Sequence, residues 1–148
     1  MNIKACLSSN SDNWKTPSYI FNCFMKENYI DTFKFMSEED EFNNNYYDNK
    51  LFVNPPFSKM KDVIKWIIKQ YKNNNLIALL IPVRTDTNYF KELYDETNLY
   101  IYFIKGRLKY NDSNPAPFPT MLIFIKRGIN KNFEIITPHD IQEVIKRY

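Results

Sequence analysis

LFVNPPFSKMKDVIKWIIKQYKNNNLIALLI, residues 51–81, contains the clearest structural pattern in the sequence. Leu51 to Val53 form a short apolar run that stops at an asparagine and two prolines. Apolar residues then recur at helical spacing from about Lys59 to Tyr71, and Leu76 to Ile81 form a continuous apolar run. These patterns predict a strand, an amphipathic helix and a strand covered on both faces. Elements in this order and this close together predict a right-handed βαβ unit with parallel strands.

The sequence on either side of this unit predicts further helices and strands. Thr16 followed by Pro17 predicts a helix start, with Thr16 as the N-cap and Pro17 as the first helical residue. The acidic run Glu38 to Glu41 is interpreted as a loop. The other predicted elements are a helix at Asn88 to Glu96, strands at Leu99 to Ile104, Thr120 to Ile125 and Phe133 to Ile136, and a helix after Thr137. The last strand is expected to pair with the one before it. The prediction is one α/β domain, residues 1–148, with a mostly parallel sheet.

Composition excludes several classes of protein. Hydrophobic residues make up 44% of the chain, which is enough for a core, and the net charge of +3 permits an anionic partner without requiring one. Cys6, Cys23 and the single His139 predict neither a disulfide framework nor a metal site. No signal peptide or membrane-spanning run is visible, so we expect a cytoplasmic protein. The chain has only 2 glycines, so a glycine-rich cofactor cradle is not expected.

The residues Asn54-Pro55-Pro56-Phe57 suggest the chemistry. In open α/β sheets ligands lie at the carboxyl ends of the strands, and these residues directly follow one. The prolines fix φ and remove backbone donors, so the Asn54 side-chain oxygen and the Pro55 carbonyl can act as acceptors for an exocyclic amine. Phe57 would offer a flat surface to a base that has left the duplex. The alternative is a stiff turn that only links strand to helix.

The chain resembles the phage-type DNA N6-adenine methyltransferases in four blocks that occur in the family's order. The first block is an N-terminal Ser-Ser…Asp-x-Trp-x-Thr-Pro segment, and the second is the Asn-Pro-Pro-Tyr/Phe motif. The third is a Leu-Pro-x-Arg-Thr-Asp-Thr segment, and the fourth is Phe-Ile-Lys-Gly-Arg-Leu-Lys-(Phe/Tyr)…Ala-Pro-Phe-Pro-Ser-Met. The corresponding residues are Ser8 to Pro17, Asn54 to Phe57, Ile81 to Thr87, and Phe103 to Tyr110 with Ala116 to Met121.

The resemblance implies a small, shortened Rossmann-like class I methyltransferase domain that uses S-adenosylmethionine as donor and adenine in DNA as acceptor. It implies that Asn54, Pro55, Pro56 and Phe57 form the catalytic motif that holds the adenine. It also implies that residues of the first block lie beside the cofactor or cover the pocket, namely Asp12, Trp14, Thr16 and Pro17. A phage or prophage gene product in the host cytoplasm would fit this resemblance.

Two further groups of residues are candidates for contact with DNA. Arg84, Thr85 and Asp86 follow a predicted strand, and Arg84 is a candidate for a phosphate contact; alternatively, Asp86 or Thr87 caps the next helix, or Arg84 and Asp86 form a local ion pair. Lys105, Arg107 and Lys109 alternate along the chain. They are either a stripe that faces phosphates or a charged strand edge in solvent.

The segment expected to bind the cofactor is shorter in this chain than in the family, and this leaves other functions open. Asp31 is the candidate cofactor-binding acid, and the run Glu38 to Asp40 is a weaker one. One alternative is a nucleic-acid-binding module that has lost catalysis. Another is a methyltransferase that acts on an RNA base or on protein glutamine, since those acceptors also present a planar amine. No separate target-recognition domain is visible, so dimerisation would be one way to enlarge the DNA footprint.

Overall fold

A six-stranded sheet forms the centre of the structure, a computed structural model that describes residues 14–33 and 38–148. The strands are β1 Ile30–Asp31, β2 Lys50–Val53, β3 Leu76–Pro82, β4 Leu99–Ile104, β5 Thr120–Ile125 and β6 Asn132–Ile136. Their order across the sheet is β1-β2-β3-β5-β4-β6. The antiparallel pairings are those that β5 makes with β3 and β4, so the other five strands run in one direction. The predicted α/β fold with a mostly parallel sheet is confirmed.

Helices cover this sheet. They are α1 Ser18–Lys26, α2 Glu38–Phe42, α3 Met60–Lys72, α4 Asn88–Glu96 and α5 Ile141–Lys146, with short 3₁₀ turns at Phe57–Lys59, Tyr110–Asp112 and Pro138–Asp140. Helix α1 packs on the sheet through Phe24, whose ring stacks on Phe52 with centroids 4.2 Å apart. Beyond α5, the Tyr148 ring stacks on Phe124 of β5 at 4.0 Å. All seven residues of β3 are buried, as expected for a strand with helices on both faces.

The predicted order of strand, helix and parallel strand is confirmed, because β2 and β3 are parallel neighbours joined by α3. The apolar face predicted for α3 is buried, except that Tyr71 is half-buried. Trp66 and Gln70 are also buried, which the pattern of apolar residues did not predict. Both side chains bind the loop before β2: the Trp66 indole N–H donates to the Asn44 carbonyl at 3.0 Å, and Gln70 Oε1 accepts from the Tyr46 N–H at 2.9 Å.

The predicted start of the first helix is wrong. Pro17, and not Thr16, is the N-cap of α1, and its carbonyl accepts the N–H groups of Ile20 and Phe21 at 3.0 Å. The Thr16 hydroxyl does not cap this helix, because it accepts a hydrogen bond from Asn54 instead. A tertiary contact therefore overrides the local capping preference.

Two other predictions are wrong. The run Glu38 to Glu41 is not a loop, since it forms most of helix α2. The side chain of Glu41 is buried and accepts the Phe33 N–H at 2.8 Å, which ties this helix to the loop after β1. Strand β6 pairs with β4 and not with β5. Both edges of β5 are already occupied by β3 and β4, so no third strand can join it.

Within residues 14–33 and 38–148, no helix is long and apolar enough to cross a membrane.

Candidate active site

The candidate residues gather at the carboxyl edge of the sheet. Asp31 ends β1, Asn54 directly follows β2, Arg84 lies two residues beyond β3, and Lys105 directly follows β4. These four strands run in the same direction, so the residues that follow them lie along one edge. This edge is where open α/β sheets bind ligands.

The Asn54 side chain is held by the segment that precedes α1. Its Nδ2 donates to the Trp14 carbonyl at 2.6 Å and to the Thr16 hydroxyl at 3.0 Å. A backbone carbonyl can only accept, so the orientation of the Asn54 amide is fixed by its partners. Asn54 Oδ1 then points away from them, and it is buried without a hydrogen-bond partner in the described structure. A buried acceptor left without a donor costs about 1–3 kcal/mol.

The rest of the Asn-Pro-Pro-Phe motif is buried. Pro56 has extended backbone angles and begins the 3₁₀ turn that leads into α3, with its carbonyl accepting the Lys59 N–H at 3.1 Å. The Phe57 ring is only 6% exposed, and its edge-to-face contact with Phe118 has centroids 5.5 Å apart. A base can therefore stack on Phe57 only after the ring has been uncovered.

An aromatic cluster supports this part of the site. Phe118, 1% exposed, contacts Trp14 at 5.3 Å and Tyr110 at 5.6 Å between ring centroids. Trp14 also packs edge-on against Tyr110 at 5.9 Å. Burial raises the pKa of the Tyr110 phenol, so the ring stays neutral. The Trp14 ring thus has a packing role that holds its carbonyl at Asn54, and a contact with the cofactor remains a prediction.

A turn that the sequence analysis missed fixes the segment before α1. Asn111 exchanges hydrogen bonds with Lys15, since its N–H donates to the Lys15 carbonyl at 2.9 Å and its Oδ1 accepts the Lys15 N–H at 3.1 Å. Asp112 accepts the Ser18 N–H at 2.9 Å and the Ser18 hydroxyl. Both turn residues have left-handed backbone angles, φ 59° and 52°, which Asn and Asp tolerate best after glycine. In the sequence, the adjacent Asn111 and Asp112 were the available signal for this turn.

The Asp112 contact predicts a pH dependence of stability. Hydrogen bonds from the Ser18 hydroxyl and backbone N–H lower the pKa of the Asp112 carboxyl below its usual value. Because the folded-state pKa is the lower one, the stabilisation is present above the unfolded pKa of about 3.9 and is lost as pH falls through the folded pKa. Thermal unfolding followed by circular dichroism should show Asp112→Asn less stable than wild type near pH 6, with the gap closing towards about pH 2. A gap that does not change with pH would contradict this.

The residues predicted to bind the cofactor are only partly brought together. Asp31 pairs with Phe52, two residues before Asn54, and so lies one strand away from the Asn-Pro-Pro-Phe motif. Thr16 reaches the site but uses its hydroxyl to hold Asn54. Pro17 is buried and caps α1, and Asp12 lies outside the described residues.

The loop after β1 differs from the glycine-rich loops that bind cofactors. Phe33 has a left-handed backbone at φ 59°, a conformation that glycine adopts more readily. Its ring packs edge-on against Phe42 at 5.5 Å and Trp66 at 5.3 Å. This loop is therefore anchored by an aromatic side chain at a position where a small residue would leave space for a ligand.

Arg84 and Asp86 form the local ion pair that was the alternative to a phosphate contact. Arg84 Nε lies 3.6 Å from Asp86 Oδ1, and the Asp86 side chain is 79% exposed. Thr87 is the N-cap of α4, where its hydroxyl accepts the Phe90 N–H at 3.3 Å and donates to the Arg84 carbonyl at 2.7 Å. Thr85 is exposed. A phosphate contact by Arg84 would compete with this exposed ion pair, which is worth at most about 1 kcal/mol.

Lys105, Arg107 and Lys109 all point to solvent, while the intervening Leu108 and the following Tyr110 are buried. The alternative of a charged strand edge is wrong, because β4 ends at Ile104 and the three cations lie in the loop beyond it. The structure gives none of the three an ion pair with a described residue.

Among the residues that the structure describes, no group of three or more His, Cys, Asp or Glu side chains could hold a metal ion.

Comparison with known proteins assigns the family. No curated protein matches the chain. A family model described as DNA N-6-adenine-methyltransferase (Dam) matches residues 4–147, which include all four sequence blocks and every strand and helix of the fold. A match over nearly the whole chain shows that the protein belongs to the Dam family of DNA N-6-adenine-methyltransferases.

Proposed function

We propose that this protein transfers a methyl group from S-adenosylmethionine to the exocyclic amine of an adenine flipped out of DNA, in the cytoplasm of a cell that carries a phage or prophage. The observation that carries the proposal is the buried Asn54 Oδ1 at the carboxyl end of β2, which has no hydrogen-bond partner among residues 14–33 and 38–148. A buried polar atom without a partner is rare in proteins, and it calls for an explanation such as a missing ligand donor. The Dam family supplies the ligand class.

The chemistry of the acceptor fits this oxygen. The adenine amine has two N–H groups, and the proposal assigns one to Asn54 Oδ1 and the other to the Pro55 carbonyl. With both hydrogens bound, the nitrogen lone pair, which is otherwise delocalised into the ring, is localised on the nitrogen and directed at the incoming methyl group. The amine would form its new N–C bond as the sulfonium S–C bond breaks, and it would then lose one of its protons. Trp14 and Thr16 hold the Asn54 amide before the base arrives, so little reorganisation accompanies the reaction.

S-adenosylmethionine, when bound, supplies a methyl group already activated by its sulfonium. The protein then needs no nucleophile of its own, and its residues orient the amine and stabilise the positive charge that develops on it. The Asp31 carboxylate is a suitable acceptor for hydroxyl or ammonium groups of such a cofactor. Its position one strand from Asn54 is consistent with a donor placed beside the base.

The competing function is a DNA-binding module without methyl transfer. It is favoured by two observations on the cofactor side: β1 has only two residues at the edge of the sheet, and Phe33 occupies the left-handed position in the following loop. The second competing function is methyl transfer to RNA or to protein glutamine. Asn54 Oδ1 would bind only the planar amine, which these acceptors share with adenine in DNA.

Calorimetric titration with S-adenosylmethionine and with S-adenosylhomocysteine separates the first two functions. The proposal expects one site per chain for both ligands, with micromolar affinity, and weaker binding by the Asp31→Asn variant. Folded protein that binds neither ligand, with or without DNA, would leave only the binding module.

The exposed cations after β4 carry a separate prediction about DNA binding. Replacing Lys105, Arg107 and Lys109 together with alanine should weaken binding to all duplex sequences alike. If each side chain neutralises one phosphate, the negative slope of log K against log salt concentration should become less steep by about 3. Fluorescence anisotropy at several salt concentrations measures this slope. As a matched control, Lys61, Lys65 and Lys69 on the exposed side of α3 are replaced in the same way, and the slope should stay near the wild-type value. An unchanged slope in the first variant would remove these residues from the DNA contact.

A further inference from the structure

The edge strand β6 exposes two large apolar side chains. Phe133 is 59% exposed and Ile135 is 72% exposed, and they project from the same face because they are two residues apart. Phe103 of β4 packs edge-on against Phe133 with ring centroids 5.8 Å apart, which continues the apolar surface inward. On its other side, β6 has no neighbouring strand among the described residues.

The backbone of β6 also presents groups at this edge that face no other strand of the described residues. The Ile136 carbonyl faces β4, because it accepts the Lys105 N–H at 2.7 Å. Backbone groups alternate in direction along a strand, so those of Phe133 and Ile135 face away from β4. In agreement, the Phe133 N–H is bonded to the side-chain oxygen of its neighbour Asn132 at 2.9 Å. An edge of this kind is a template for another strand.

We propose that β6 pairs antiparallel with β6 of a second copy of this chain, about a two-fold axis at Glu134. Glu134 is the midpoint of the five-residue strand, so this register pairs its whole length. Phe133 then lies opposite Ile135 of the second copy, and Ile135 opposite Phe133, each as a hydrogen-bonded pair. The outward-facing backbone groups of these residues then bond across the two strands, the Phe133 N–H exchanging its bond to the Asn132 side chain for one to the second copy, and the exposed apolar side chains cover one another.

Charge does not oppose this register. It brings the two Glu134 side chains together on the opposite face of the sheet, where like charges alone would repel. Each glutamate carries its own cation, since Arg147 Nη1 lies 3.3 Å from Glu134 Oε2. The two pairs form an alternating cluster of four charges at the axis.

Cysteine cross-linking tests the register, and light scattering tests the assembly. The two Glu134 residues would form a non-hydrogen-bonded pair with Cα atoms about 4.5 Å apart, which a disulfide can bridge. Under mild oxidation Glu134→Cys should give a covalent dimer. Asn132→Cys is the matched control, because the two copies of residue 132 would lie about 13 Å apart, and it should cross-link no better than wild type with its own Cys6 and Cys23.

The assembly itself is measured on the unmodified protein. Wild type should be a dimer at high concentration, and Ile135→Lys should raise the dimer dissociation constant at least about tenfold while circular dichroism stays unchanged. A monomeric wild type would overturn the proposal. Equal cross-linking at residues 132 and 134 would overturn the register.

Discussion

Replacing Asn54 with alanine should lower kcat for methyl transfer to DNA by about 10²–10³-fold and leave the fold intact. The variant lacks Oδ1, the acceptor assigned to the adenine amine, so the nitrogen is neither oriented nor stabilised as charge develops on it. Stability should change by only about 1 kcal/mol, because the variant loses the bonds to Trp14 and Thr16 but also removes a buried oxygen that has no partner in the described part of the chain. Single-turnover methylation and chemical denaturation measure the two effects separately.

Two variants serve as controls for this result. Thr16→Val removes one of the two acceptors that hold the Asn54 amide but keeps Oδ1, so its loss of activity should be much smaller. Asn98→Ala changes an asparagine next to the amino end of β4, at the opposite edge of the sheet, and should have no effect on methyl transfer. If Asn54→Ala kept more than about a tenth of the wild-type rate, the assigned role of Asn54 would be wrong.

Phe118→Ala should be the most damaging of the substitutions considered for stability, lowering the free energy of unfolding by about 3–5 kcal/mol. The side chain is 1% exposed and contacts Trp14, Phe57 and Tyr110, so its removal leaves a cavity between the motif loop and the segment before α1. Urea denaturation measures the change. The control is Tyr47→Ala, because Tyr47 is 63% exposed and its loss should cost less than about 0.5 kcal/mol. A loss below about 1.5 kcal/mol for Phe118→Ala would show that the cluster does not hold the site together.

The centre of the fold could be predicted because its signals are local. The apolar residues of α3 recur at helical spacing over a length typical of a helix, and the unbroken apolar run of β3 has the length of a buried strand. The bounds of α4, β4 and β5 agree with their predicted limits for the same reason. At the C-terminus, Thr137 and Asp140 form a capping box, a signal that is also contained within four residues.

The errors have a different physical origin, since each depends on a partner distant in sequence. Thr16 has the chemistry of an N-cap, but Asn54, which lies 38 residues later, takes its hydroxyl. Asp112 compensates by binding the N–H of Ser18, and nothing near Ser18 indicates this. The partner of β6 depends on which strand of the sheet still has a free edge, which no property of residues 132–136 reveals.

The candidate site was only partly visible in the sequence. The Asn-Pro-Pro-Phe motif indicated an acceptor at Asn54, and the structure adds the reason its oxygen is available, which is that Trp14 and Thr16 bind the other end of the amide. The sequence suggested an accessible Phe57 ring, whereas the structure buries it against Phe118. Side-chain exposure is decided by tertiary packing, and the motif contains no information about it.

The most direct test is methyl transfer itself, measured with isotopically labelled S-adenosylmethionine, purified protein and duplex DNA, followed by digestion of the DNA to nucleosides and mass spectrometry. We expect labelled N6-methyladenine in wild-type reactions, none with a duplex that contains only G·C pairs, and almost none with Asn54→Ala. Absence of label in adenine-containing DNA, from folded protein that binds the cofactor, would contradict the proposed reaction. Label found instead on RNA or on a protein glutamine would show that the same amine chemistry serves another acceptor.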